Sequence, residues 1–185
     1  MNGPCPPYPL ELIEESRMPA DMDLAIRRLL IRCFPVDAEA FSQSRAWHQS
    51  APTFSIVCRE GTALLGHVGV VLRTVRCGHT PLTVAGVQNL CVVPERRGSG
   101  LAPRLMLRAM EEARTRQIRF GLLFCVPELE PFYQWLGWST CRQPITMLDD
   151  AGRPGPITDK NIAMFIELGP HSFPPGPIDL NGRDW

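Results

Sequence analysis

The stretch "LTVAGVQNLCVVPERRGSGLAPRLM", residues 82–106, constrains this chain more than any other. A run rich in β-branched residues ends at Pro94, two arginines lead into Gly98-Ser99-Gly100, and apolar residues then recur at helical spacing from Leu101. Glycines let a backbone come close to a ligand and turn its N–H groups outward, and a helix N-terminus adds partial positive charge. Strand, basic glycine turn and helix in direct succession therefore suit an anion. An ordinary loop entering a surface helix is the plain alternative. Two familiar phosphate loops do not fit. No lysine completes a Walker A pattern, and Pro103 stands where a dinucleotide fingerprint needs its third glycine.

The flanking pattern supplies a frame. "FSIVCRE" and "ALLGHVGVVLRTVRC", separated by Gly61-Thr62, read as a hairpin, and "GHTP" turns the chain into the strand "LTVAGVQNLCVV". Leu101, Leu105, Ala109 and Ala113 mark one face of the following helix, with Met106 and Met110 beside it, and Pro103 fits only in its first turn. "RFGLLFCV" reads as a fully buried strand and "PFYQWLGW" as a short helix ended by Gly137. Upstream, "LELIEES" predicts a first strand. "DMDLAIRRLLIRCF" predicts a helix with its stripe on Leu24, Ile26, Leu29, Leu30 and Cys33, and "DAEAFSQSRAW" a second, short one. Late strands are expected within "STCRQPITML" and "NIAMFIEL", whereas residues 1–9 and the tail 169–185 read as irregular. The expectation is one mixed α/β domain over residues 1–185.

Composition removes several classes. Lys+Arg and Asp+Glu both number 19, so no basic excess points to a nucleic acid. No apolar run is long enough for a transmembrane helix, and "MNGPCPPYPL" lacks the order of a signal peptide, so a cytoplasmic protein without a membrane partner is expected. The seven cysteines form no C-x-x-C pair, and buried reduced thiols are expected rather than a metal site or a disulfide framework.

Arg97-Gly98-Ser99-Gly100-Leu101-Ala102 matches the R/Q-x-x-G-x-G/A signature of the GCN5-related N-acetyltransferase (GNAT) superfamily. "LCVVPE" before it resembles the family's strand-Pro-acid approach, and "FYQWLGW" resembles its F-Y-x-x-x-G-[FW] element. Within the superfamily, "SRAWHQSAPTFSIVCREGTALLGHVGVVLRTV" and the Pro-Gly…Ile-Asp…Asn-Gly tail are similar to nodulation-factor N-acyltransferases. The "FYQWLGW" element and the terminal "GRDW" resemble aminoglycoside 2′-N-acetyltransferases. The likeness runs from about Phe41 to Trp185 and is loose outside the motifs.

The resemblance implies a GNAT fold: a mixed, mostly antiparallel central sheet of about six to seven strands flanked by about four helices. It implies an acyl-CoA co-substrate, acetyl-CoA first and a longer acyl-CoA second, no metal, and an acceptor that is a primary amine of a small molecule, in both narrower groups a 2-amino sugar. The backbone of Arg97, Gly98, Ser99, Gly100, Leu101 and Ala102 would hold the pyrophosphate. Arg96 or Arg97 would add charge. The backbone of Leu90, Cys91 and Val92 would pair with pantetheine, and the Leu90 N–H would polarise the thioester carbonyl. Tyr133 stands where the family places its proton donor to the leaving thiolate; core packing beside Phe132 and Trp135 is the plain alternative.

The base is left open. Where the aminoglycoside group carries a glutamate this chain has Gln88, which cannot take a proton but can orient water or bind a sugar hydroxyl. Glu128, Glu130, Asp184, His67 and the C-terminal carboxylate are the candidates, and a covalent route through Cys91 or Cys125 with His67 is the remote one. Arg45 and His48 stand where an enzyme for polycationic acceptors would show acids. Asp184 and Trp185 are expected to line the acceptor site, the indole face against a sugar ring; a frayed end is the alternative. Two other functions stay open, a non-catalytic acyl-CoA sensor module and an N-acetyltransferase of protein or peptide amines. A homodimer is compatible with the sequence.

Overall fold

Three successive apolar runs build the centre of the molecule, and a computed structural model describes residues 8–157 and 161–185. The hairpin expected from the sequence is present as β2 (Phe54–Glu60) and β3 (Ala63–Cys77), and β3 turns into β4 (Thr80–Val92), all antiparallel. β1 (Leu10–Glu14) adds to β2. The chain then crosses through α3 (Leu101–Thr115) to β5 (Phe120–Cys125), which lies parallel to β4. α1 (Ala20–Cys33) and α2 (Ala38–Gln43) precede this core, and α4 (Glu130–Trp135) follows it.

The remaining strands are β6 (Ser139–Cys141), β7 (Ile145–Leu148), β8 (Pro154–Pro156), β9 (Ile162–Glu167) and β10 (Ile178–Asp179). Among the described residues, ten strands form one sheet in the order β6-β9-β5-β4-β3-β10-β7-β8, with β2 pairing β3 and β1 pairing β2 off this path. This is the expected α/β GNAT architecture, with more strands than the sequence announces. The tail read as irregular contains β10, two residues that bridge β3 and β7. Ile178, Leu180, Asp184 and Trp185 are all buried. Residues 1–7, with Cys5, lie outside the described residues.

α3 buries the six residues its periodicity picked out: Leu101, Leu105, Met106, Ala109, Met110 and Ala113. Each such side chain contributes about 1.5–3 kcal/mol when large and fully covered. α1 follows its stripe at Ile26, Leu29 and Leu30, but Leu24 is exposed. α2 stops at Gln43, short of the expected Trp47, because residues 45–50 are drawn onto β4 by side chains described below.

Candidate active site

Gly98 and Gly100 both have positive φ, 75° and 80°, and Gly100 is the left-handed residue from which α3 starts. A side chain at either position would be strained in the backbone although nothing crowds the space. The first N–H groups of a helix have no partner within it, so Leu101 and Ala102 present free donors beside the turn. Of the two arginines, Arg96 is engaged, 3.3 Å from Glu60 and 5.7 Å over the Tyr8 ring. Arg97 is exposed and lines a cavity of about 360 Å³ together with Leu90, Cys91, Val92, Ala102 and Tyr133.

The cavity exists because β4 and β5 part. They pair from Val84↔Phe120 to Val87↔Leu123 and no further. Beyond Val87, β4 carries a bulge opposite Val68, with Asn89 at φ 54°, so one more residue lies on β4 than on β3. The far end of β4 stays on β3: the Val93 N–H donates to Leu65 O at 2.9 Å. Strand alternation then turns the N–H groups of Val92 and Leu90 away from β3, toward the groove. The result is a strand edge unpaired with β5, running from the glycine turn into the sheet, on which Val92 O accepts from Cys33 Sγ at 3.5 Å.

A second cavity, about 390 Å³, continues the first past Leu90 and Tyr133 into the gap between the strands. Trp47, Gln88, Phe124, Cys125, Asp184 and Trp185 line it. Tyr133 borders both cavities, on the short helix that Gly137 ends at φ 89°. Phe132 and Trp138 hold its ring at 5.0 and 6.2 Å. Burial, with a smaller effect from Cys125, holds the phenol well above its ordinary range, so it keeps its proton.

Gln88 is buried and its amide makes three hydrogen bonds. Oε1 accepts from the Trp47 N–H at 2.8 Å and from Asn89 at 3.2 Å, while Nε2 donates to Ser50 O at 2.7 Å. Asn89 also holds Arg45 O at 2.9 Å. These bonds strap residues 45–50 over the cavity. Arg45 itself points away, into an ion pair with Glu15 and a 2.8 Å contact with Asp23. Ser50 Oγ donates to the Asp184 carbonyl at 2.7 Å and accepts from Arg73 at 2.8 Å, and the Asp184 carboxylate meets His48 Nδ1.

Trp185 is not frayed. Its indole is 3 % exposed, donates to Leu122 O at 3.3 Å and packs 5.4 Å from Phe124, with the Arg73 guanidinium 5.1 Å over its ring. Arg73 and Phe124 thus pack against the ring, which also lines the cavity. The other candidates for the base separate. Glu128 is exposed, and Glu130 is bonded to Thr140 and Gln134. His67 is wholly buried between Ser55 and Asn89 O, and burial lowers it to about 4.

Cys125 is raised to about 11, first by burial and then by Glu130. Cys91 is pushed well above its ordinary value by its contact with Cys33 and by burial. Neither is the thiolate a covalent route needs. Among the described residues, no group of His, Cys, Asp and Glu is arranged to hold a metal ion, and no helix is long and apolar enough to cross a membrane.

Trp47, Ser50, Arg73 and Asn89 complete the site without having been singled out for it from the sequence, and His48, which the sequence set with Arg45 in place of acids, joins them through Asp184. The one available sign was Asn89, a residue tolerant of positive φ set inside a β run.

No curated protein matches the chain in sequence. Among solved structures, the chain is similar to the GNAT family N-acetyltransferase YhbS from Escherichia coli in complex with CoA, at 18 % identity and TM-score 0.66, over 95 % of this chain and 91 % of that one. A GNAT family acetyltransferase from Brucella melitensis in complex with acetyl-CoA shows 18 % identity and TM-score 0.61, over 92 % and 95 %. An aminoglycoside 6′-N-acetyltransferase complexed with coenzyme A shows 15 % identity and TM-score 0.59, over 88 % and 99 %. At such identities the likeness speaks for the fold. The family described as Acetyltransferase (GNAT) domain matches residues 18–141, which span the turn, the parting strands and Tyr133. The chain belongs to the GNAT acetyltransferase family.

Proposed function

We propose that the chain transfers an acyl group, acetyl first, from acyl-CoA directly to a primary amine of a small molecule, with residues 1–185 acting as one acyltransferase domain. One observation carries this reading. Arg97 and Ala102, which flank the glycine turn, line one groove with the β4 edge from Leu90 to Val92 and Tyr133, and that groove shares Leu90 and Tyr133 with a second cavity. The N–H groups of Gly98 to Ala102 suit a pyrophosphate, with Arg97, which also contacts the Cys33 thiol, as the cation beside it. The edge from Leu90 to Val92 suits the amides of a pantetheine arm.

A thioester at the end of that arm would lie between the Leu90 N–H and Tyr133. The N–H would stabilise the tetrahedral oxyanion, and the phenol would protonate the departing thiolate. The amine would enter through the second cavity. Trp47 and Phe124 offer aromatic surface there, and the Asp184 carboxylate suits an ammonium group, which favours an amino sugar among small amines. Gln88 acts in this reading as a positioning residue, because its amide bonds Trp47 and Ser50 of the 45–50 strap.

A second reading, a non-catalytic acyl-CoA sensor, draws on that same Gln88, which cannot serve as a base. Thiol release from acetyl-CoA and from longer acyl-CoAs separates the two when measured with glucosamine, chitooligosaccharides, aminoglycosides and polyamines. Amine-dependent release with an N-acylated product by mass spectrometry supports transfer. Tight CoA binding without amine-dependent release supports the sensor.

A further inference from the structure

The acceptor side contains a feature that neither the motif nor the fold requires. Residues 47–50 form a tight turn, closed by the Ser50 N–H to Trp47 O at 2.7 Å, and its two central residues both have positive φ: His48 at 42° and Gln49 at 65°. Such turns favour Asn-Gly or Gly-Gly, because other side chains are strained at positive φ. Histidine and glutamine there cost stability that glycine or asparagine would not. Strain of this kind persists where a side chain is needed in that place.

What the strain achieves for His48 is visible. Its Nδ1 meets the Asp184 carboxylate, whose own carbonyl is fixed by Ser50, and its ring lies 4.9 Å from Trp47. Trp47 and Asp184 both line the acceptor cavity. A carboxylate accepts only, so in the neutral ring Nδ1 carries the proton and Nε2 presents a lone pair. Among the described residues Nε2 has no protein partner, and the side chain is 41 % exposed, in contact with Trp47 and Asp184, which line the cavity. The charged groups facing the pair are Asp184 and, beyond it, Arg73 of β3, which bonds Ser50 and the Arg183 carbonyl. Arg45 faces Glu15 and Asp23 instead.

We infer that His48, oriented by Asp184, is the general base for the acceptor amine. The inference rests on the acyl-transfer reading above. An ammonium acceptor gives one proton to His48 Nε2. The neutral nitrogen attacks the thioester carbon; the C–N bond forms, the C–S bond breaks, and the thiolate takes the Tyr133 proton. The nitrogen's second proton restores the Tyr133 phenol through solvent, and His48 releases its proton to water, so one proton leaves per turnover. Asp184 is a positioning residue, fixing the tautomer and the ring.

The test uses His48→Asn, which removes the base but suits positive φ, alongside His48→Gly. Amine-dependent thiol release is read across pH 6–10, with melting temperature and CoA affinity as controls. Loss of a general base should lower kcat/KM near neutral pH by about a hundredfold or more. CoA affinity should stay unchanged, and melting temperature should hold or rise. The deficit should shrink at alkaline pH, where the amine loses its proton unaided, and added imidazole should restore part of the rate to His48→Gly. Neither recovery would follow from structural damage. Wild-type kcat/KM with an unchanged pH profile in both variants overturns the base assignment and leaves acyl transfer standing. A wild-type protein without amine-dependent release overturns both.

Discussion

Trp185 occupies a slot that Gly86 leaves open: a Cβ on residue 86 would lie 2.3 Å from the indole Cε2. Gly86 pairs with Leu122 on β5, just before the two strands part, and the Trp185 N–H reaches Leu122 O. The last residue of the chain thus wedges the sheet beside the point where the cavity opens. Gly86→Ala should force the indole out and destabilise the fold by about 1–3 kcal/mol, as overpacking does. Trp185→Ala should cost about 3–5 kcal/mol through the void it leaves. Chemical denaturation measures both, and Trp185→Ala with wild-type stability would put the indole outside the core.

The glycine turn gives a prediction of opposite character. Nothing crowds Gly100, so Gly100→Asp adds backbone strain of about 1–3 kcal/mol but places a carboxylate where the pyrophosphate should sit. CoA affinity by calorimetry should collapse while the circular dichroism spectrum stays native. Unchanged affinity would move the phosphate site elsewhere.

Tyr133→Phe keeps the ring among Phe132 and Trp138 and removes only the hydroxyl. Turnover should fall about a hundredfold, the usual contribution of a general acid, with little change in melting temperature. Because burial holds the phenol protonated well beyond neutral pH, the wild-type rate should show no loss of this donor up to pH 9.

His67 sets an acid limit on stability. Its pKa falls from 6.5 to about 4 on burial, so the unfolded chain binds a proton that the native state refuses. Stability should therefore decline as pH falls from 6.5 toward 4 and level off below. The slope is about 1.4 kcal/mol per pH unit, or roughly 2 kcal/mol between pH 6.5 and 5. Urea titrations at several pH values measure it, and His67→Gln should remove this component of the slope.

The sequence exposed the parts of the fold governed by local period. The α3 face from Leu101 to Ala113 follows from spacing alone, and the β2–β3–β4 meander follows from β-branched runs between glycine turns. β10 did not show, because two residues amid prolines carry no period and owe their conformation to β3 and β7. The site divides the same way. The glycine turn and Tyr133 sit inside motifs, so their places in the fold could be read.

The 45–50 strap could not be read, because long-range bonds from Gln88, Asn89, Arg73 and Asp184 create it, and His48-Gln49 is not a turn sequence. Gln88 looked like a weakened catalytic position when judged by residue type alone. Its bonds to Trp47 and Ser50 hold the two ends of the turn that carries His48. Trp185 was expected to line the acceptor site; it lines the cavity, and what the sequence did not show is the slot at Gly86 that seats its indole.

The central claim is that the gap between β4 and β5 holds a thioester between Leu90 and Tyr133. A crystal structure with acetyl-CoA tests it most directly. The account predicts the pyrophosphate on the N–H groups of Gly98 to Ala102. It also predicts the thioester oxygen about 3 Å from the Leu90 N–H and the sulfur within hydrogen-bond reach of the Tyr133 hydroxyl. Acetyl-CoA bound with its thioester outside this gap, or with its phosphates away from the turn, would contradict it.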